Sequence, residues 1–176
     1  ESLAGYYAHA REMTMVPLTL PGGTLQFTPG EHNILIKAIV DEFGPRFAPG
    51  ADVLYVGDTG AKMVYFDEKT FSHLGLIFDQ HGKFPDVVLY LRDRNWLLLV
   101  ESVTSHGPMD AKRHTELAEL FKASTAGLVY VTAFPDRSVM ARYLNEISWE
   151  TEVWVADAPT HLIHFNGERF LGPYMK

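Results

Sequence analysis

Short segments of alternating or continuous apolar character, separated by Gly, Pro, Asn and Asp, run along the chain. Residues 1–13 carry a short helical pattern with Ser2 as its cap. "VPLTLPGGTLQF" alternates on both sides of Gly22-Gly23, which predicts two strands around a tight turn. "TPGE", Thr28 to Glu31, has capping-box spacing with Pro29 at the first helical position, so a helix is expected to about Phe43, where Gly44-Pro45 should stop it. "DVLYVGDT" reads as a strand ending at Asp58. Residues 60–84, rich in Gly and His, show no period and read as irregular. "FPDVVLYLRDRNWLLLVESV", Phe84 to Val103, places two apolar runs around a charged centre, the pattern of a hairpin. After the loop "HGPMD", Asp110 is a candidate N-cap for a helix over 111–122. "GLVYVTAF" is a near-continuous apolar run, typical of a buried strand. Asp136 caps a helix to about Ile147, with Val139, Met140, Tyr143, Leu144 and Ile147 on one face. "ETEVWVADA" and "HLIHF" are closing strands, the second followed by an Asn166-Gly167 turn. The order helix, strand, strand, strand, helix, strand, helix, strand predicts an α/β domain on a mixed sheet.

Composition narrows this picture. A chain of 176 residues, 47% of them hydrophobic, can bury one sizeable core. No apolar run approaches the roughly 18 residues of a membrane span, so no membrane is expected among the partners. Cysteine is absent, which excludes disulfides, thiolate metal sites and a cysteine nucleophile, and accords with a cytoplasmic location. The net charge of −7 argues against a nonspecific nucleic-acid coat but leaves room for a local basic face. Trp96, Trp149 and Trp154 read as core residues. His161 and His164, three apart on a strand, should face opposite sides and so do not form a zinc pair.

The hairpin carries the chemistry. With its turn centred between Asp93 and Arg94, opposed residues have numbers adding to 187, and Asp86 and Glu101 satisfy that sum. Directly opposed Cβ atoms lie about 4.5–5.5 Å apart, a distance at which two carboxylates repel. Either one takes up a proton or a cation sits between them. A hard divalent ion with oxygen ligands suits the pair, and Mg²⁺ commonly uses one or two carboxylates together with phosphate oxygens. The same spacing also fits two ordinary strand-end acids. The Leu97-Leu98-Leu99-Val100 run before Glu101 favours the site, because a strand buried on both faces puts its terminal acid at the sheet rim, where α/β folds place their sites.

On these residues a resemblance rests. Asp86 in "PD" and "VES" at 100–102 look like the PD-(D/E)xK nuclease core. The longer blocks "TPGEHN", "VLYVGDTGAK", "HGKFPDVVLY", "LLLVESVTSHGPMDAKRHTEL", "AGLVYVTAFPD" and "ISWETEVWVADAPTHLIHFNGERFLGP" resemble the C-terminal catalytic domain of BsuBI/PstI-type restriction endonucleases, over about Thr14 to Tyr174. The resemblance implies a restriction-endonuclease-like core, a mixed central sheet flanked by helices, and a Type II enzyme that cuts palindromic duplex DNA, CTGCAG-like, with Mg²⁺ and as a homodimer. It also implies an N-terminal helical domain, so 1–13 is expected to be a remnant or linker of that domain and 14–176 the catalytic unit.

The resemblance also implies roles for individual residues. Asp86 and Glu101 are catalytic and hold the metal, the Ser102 carbonyl is a further ligand, and Glu31 on the first core helix is a third acid, although the capping box also explains it. The motif's lysine should fall at Val103, which cannot supply a cation, and the family carries an apolar residue there too. The lysine role is therefore expected from Lys62 in "GDTGAK", ahead of Lys83 and Lys112. Lys112 and Arg113 suit phosphate contacts. Thr104, Ser105 and His106, in a loop with Gly107, either contact the DNA backbone or form a polar turn. Asp58 either points into the site or is a turn aspartate. Two other readings fit the sequence: a repair or junction nuclease of the same superfamily, and a non-catalytic DNA-binding or interaction module.

Overall fold

The computed structural model of the chain describes residues 15–28, 30–57, 63–79 and 83–168. The helix expected over 1–13 with Ser2, and Pro29, Asp58 and Lys62, lie outside the described residues. Strands β1 (Val16–Leu20) and β2 (Gly23–Phe27) form an antiparallel hairpin, paired from Val16–Phe27 to Leu20–Gly23. Gly22 closes it at φ 98°, a conformation that side chains rarely adopt. β1 buries Val16, Leu18 and Leu20 and turns its alternate residues to solvent.

Helix α1 (Glu31–Ala38) runs through a π-helical turn (Ile39–Phe43) into a short α2 (Gly44–Phe47). The capping box does not form. Gly30 is the N-cap and makes no side-chain cap bond, because Thr28 is engaged elsewhere, accepting from Asn33 Nδ2 through its carbonyl at 3.0 Å and its hydroxyl at 3.2 Å. Nor does Gly44-Pro45 stop the helix. Pro45 falls in the first turn of α2, where its missing N–H needs no partner.

The centre is a seven-stranded sheet in the order β4-β3-β5-β6-β7-β8-β9. Its strands are β3 (Asp52–Gly57), β4 (Met63–Phe66), β5 (Val87–Leu91), β6 (Trp96–Ser102), β7 (Gly127–Phe134), β8 (Thr151–Val155) and β9 (Leu162–Phe165). β6–β7 and β7–β8 are parallel, and the other pairs are antiparallel. Helix α3 (Glu68–His73) follows β4, and α4 (Ala111–Leu120) and α5 (Arg137–Tyr143) lie in the two parallel crossovers. The stretch 60–84, expected to be irregular, thus contains β4 and α3, the latter capped by Asp67, whose side chain accepts from the Thr70 N–H.

β6 separates the two main apolar layers. Leu98 and Val100 pack with Ile36, Ile39 and Phe43 of the α1 side. Leu97 and Leu99 pack with Leu117 and Phe121 of the α4 side, beside Phe71 and Phe84. A fully buried leucine or valine contributes roughly 1.5–3 kcal/mol, so the run that ends at Glu101 is anchored on both faces. Of the three tryptophans only Trp154 is core. Trp96 lies half exposed under Arg94, and Trp149 is 68% exposed.

Candidate active site

The β5–β6 register pairs Val87 with Val100 and continues to Leu91 with Trp96, each pair adding to 187. Asp86 comes one step before β5, and Glu101 is the penultimate residue of β6, so the two acids meet at the open end of the hairpin. Asp86 is held from two sides. Its Oδ2 accepts the Ser102 N–H at 2.7 Å, and its carbonyl accepts the Gly57 N–H of β3 at 2.9 Å.

Glu101 points to the α4 side, as the odd residues of β6 do, and there it meets Arg113. Arg113 Nε and Nη2 both donate to Glu101 Oε1, at 2.7 and 2.6 Å. The same guanidinium donates through Nη1 to the Lys83 carbonyl at 2.8 Å and through Nη2 to the Phe84 carbonyl at 2.9 Å. Nη1 also lies 3.6 Å from Glu116. Burial pushes the Glu101 carboxyl up, and the charge of Asp86 pushes it further. Arg113 and, more weakly, His32 pull it back, leaving it at about 7. Tyr55, whose ring lies tilted against Phe84 with centroids 4.7 Å apart, has its phenol raised first by burial and then by the Asp86 charge. It therefore stays protonated.

On the opposite face α1 delivers His32. Its Nε2 lies 3.6 Å from Asp86 Oδ1, and its Nδ1 lies 3.5 Å from Ser102 Oγ. The site therefore straddles the sheet, with Glu101 and Arg113 on the α4 side, His32 and Ser102 on the α1 side, and Asp86 between them.

A family model described as the BsuBI/PstI restriction endonuclease domain matches residues 16–168. The chain belongs to that family. It is 63% identical over 175 residues to the Type II restriction enzyme BsuBI of Bacillus subtilis, which covers 99% of this chain and 55% of that protein. It is 31% identical over 155 residues to the Type II restriction enzyme AplI of Arthrospira platensis, covering 84% of this chain and 48% of that one. Among solved structures it resembles the SdaI restriction endonuclease, with a TM-score of 0.87 and 48% identity over all of this chain and 56% of that chain. The chain thus spans about half the length of the curated relatives that it matches, and its α/β architecture is that of a restriction endonuclease.

In this BsuBI/PstI family member the site brings together Asp86, Glu101, Ser102 and Arg113 among the residues singled out from the sequence. Glu31 is exposed at the first position of α1, one residue before His32. Val103 is 1% exposed and packs with Phe134, Ile147, Val153 and Val155, which accounts for an apolar residue in that place. Lys83 is exposed while its carbonyl receives Arg113. Lys112 has an 85% exposed side chain, 3.9 Å from Glu116. Thr104 is half-buried, and Ser105 and His106 are exposed and lie within 3.4 Å of each other. A cavity of about 260 Å³ opens beside Glu101, between Gly107, Asp110 and Arg113. Among the described residues no three His, Asp or Glu side chains gather tightly enough to hold an ion alone.

Two features escaped the sequence reading. His32 is one, because no local pattern marks it. The protein acceptors of Arg113, in which its donors end, are the other. A signal for it existed: Arg113 lies in the first turn of α4, where a cation opposes the helix dipole unless a nearby carboxylate compensates.

Proposed function

We propose that this chain is the catalytic domain of a Type II restriction endonuclease that hydrolyses phosphodiester bonds in palindromic duplex DNA, CTGCAG-like, with Mg²⁺. The observation that carries this reading is the Asp86–Glu101 pair: two acids one step beyond the last paired residues, Val87 and Val100, at the open end of the hairpin, one of them kept from ionising in part by the charge of the other. The donor set fits a hard divalent ion, since every candidate ligand offers oxygen: the carboxylates of Asp86, Glu101 and Glu31 and the carbonyl of Ser102. When bound, the ion supplies Lewis-acid charge to the scissile phosphate and its attacking water.

The protein's own residues supply the rest. Asp86 and Glu101 would hold the ion at the sheet rim, and the Ser102 N–H fixes Asp86. Glu31 is a candidate further acid from α1. Lys62 is the candidate to orient the attacking water in place of a lysine at Val103. Lys112, exposed and adjacent, is suited to a phosphate, and Thr104, Ser105 and His106 to the DNA backbone. In hydrolysis the water oxygen bonds to phosphorus, one P–O ester bond breaks, and the departing oxygen takes a proton. A palindromic target matches a twofold dimer, and the expected setting is the cytoplasm. No helix among the described residues is long and apolar enough to cross a membrane.

The test is plasmid cleavage by Asp86→Asn and Glu101→Gln in the full chain. Each is expected to lose at least about 100-fold in cleavage rate while keeping the wild-type circular dichroism spectrum. Cleavage by either variant at the wild-type rate refutes the assignment. DNA binding without cleavage by the wild type at every Mg²⁺ or Mn²⁺ concentration favours a non-catalytic module.

A further inference from the structure

We infer that Arg113 is a positioning residue that sets the separation of the two site carboxylates, and that it does not contact DNA phosphate. The inference rests on the metal-dependent reading above and deepens it. Arg113 grips β6 through Glu101 Oε1 and grips the approach to β5 through the Lys83 and Phe84 carbonyls. Those carbonyls lie two and three residues before Asp86. One rigid guanidinium plane therefore ties both arms of the open hairpin end together, at the end opposite its covalent turn. Both bonds to Glu101 converge on Oε1, so Oε2 lies outside the clamp. The fork geometry is what allows four short bonds in three directions, and a lysine ammonium at the end of a flexible stem does not reproduce it.

The clamp is itself held. Asp110 caps α4 by accepting the Arg113 N–H at 2.7 Å, and Glu116 stands one turn on at 3.6 Å from Nη1. Lys112, next to Arg113, presents the contrast: its ammonium is out in solvent. A phosphate ligand would resemble Lys112. Arg113, with its side chain only 18% exposed, resembles an outer partner that orients a ligand.

The experiment compares wild type with Arg113→Lys, Arg113→Met, Asp86→Asn and Lys112→Met in the full chain. Mn²⁺ affinity is read by calorimetry without DNA, and DNA affinity by anisotropy against salt without divalent ion. Substituting an outer partner of a metal ligand typically weakens metal binding by about 10- to 100-fold. That loss is expected for Arg113→Lys as well as for Arg113→Met, with the salt slope of DNA binding unchanged, whereas Lys112→Met should flatten the slope and leave Mn²⁺ affinity alone. Thermal melting identifies any variant that fails to fold, and Arg113→Lys keeps the charge should the methionine variant not fold. Wild-type Mn²⁺ affinity in Arg113→Lys, with binding lost in Asp86→Asn, overturns the inference and leaves the metal reading intact. So does a salt slope flattened by about one unit in Arg113→Lys, which identifies a phosphate contact. Unchanged Mn²⁺ binding in Asp86→Asn overturns the metal reading itself.

Discussion

At the scale of single residues the site is an unresolved charge problem. Glu101 is held at about 7 although it touches an arginine, because burial and Asp86 together outweigh that partner. The sign of the consequence follows from proton counting. The folded carboxyl binds its proton more tightly than the unfolded one, so between the ordinary value of 4.5 and about 7 the folded state holds more protons. Stability of the protein with divalent ions chelated should therefore fall as pH rises through that window, by about 1–3 kcal/mol from this group. Thermal melting across the window should show the loss in the wild type and a flatter profile in Glu101→Gln. Identical profiles would mean that Glu101 titrates like an exposed acid. Cation binding to the pair should strengthen over the same range, because the ligand must lose its proton.

At the scale of elements, the short helix α4 carries more than its length suggests. Its N-cap, Asp110, determines where the first turn begins, and Arg113 is the residue whose N–H it receives. Asp110→Ala should cost about 0.5–2 kcal/mol of stability. It should also weaken divalent binding, which separates it from the control Asp136→Ala. Asp136 caps α5 through Val139, and no bond from α5 reaches Glu101 or Asp86 among those that hold the two acids. Equal Mn²⁺ affinities in the two variants would show that α4 needs no accurate start. The same elements show what a sequence reveals. The hairpin was legible down to its register because a local turn between two apolar runs leaves one pairing in which Asp86 meets Glu101. The caps at Asp110 and Asp136 were legible because the bond joins near neighbours. β4 escaped because Met63–Phe66 is four residues without alternation, and α3 because a Gly- and His-rich setting hid the cap at Asp67. The capping-box spacing at Thr28 misleads because Asn33, five residues on, competes for the same threonine. His32 stayed hidden because its partners are distant in sequence, in β6 and before β5.

At the scale of the whole molecule, the two arms of the site are tied to different parts of the fold, so occupancy of the site should be felt globally. A ligand that binds only the folded state at about 100 times its dissociation constant stabilises that state by about 2.7 kcal/mol, which in a domain of this size moves the melting temperature by roughly 5–10 °C. Ca²⁺ or Mg²⁺ should produce such a shift in the wild type and none in Asp86→Asn, measured by calorimetry. A shift of the same size in both would place the ion elsewhere. β6, in the middle of the sheet, is paired with β5 over Trp96–Val100 and with β7 over its whole length. The backbone of Glu101 is therefore held through β7, where it pairs with Thr132, and through the doubly paired residues that precede it. Asp86 lies just outside β5, suspended from single bonds to Ser102 and Gly57 and from the Arg113 tie to Phe84. One jaw of the site is stiff and the other compliant. Mg²⁺ demands bonds of about 2.0–2.1 Å and Ca²⁺ about 2.3–2.6 Å, so tolerance for the larger ion is a property of the Lys83–Asp86 approach, and the fit to the smaller one is measured from β6.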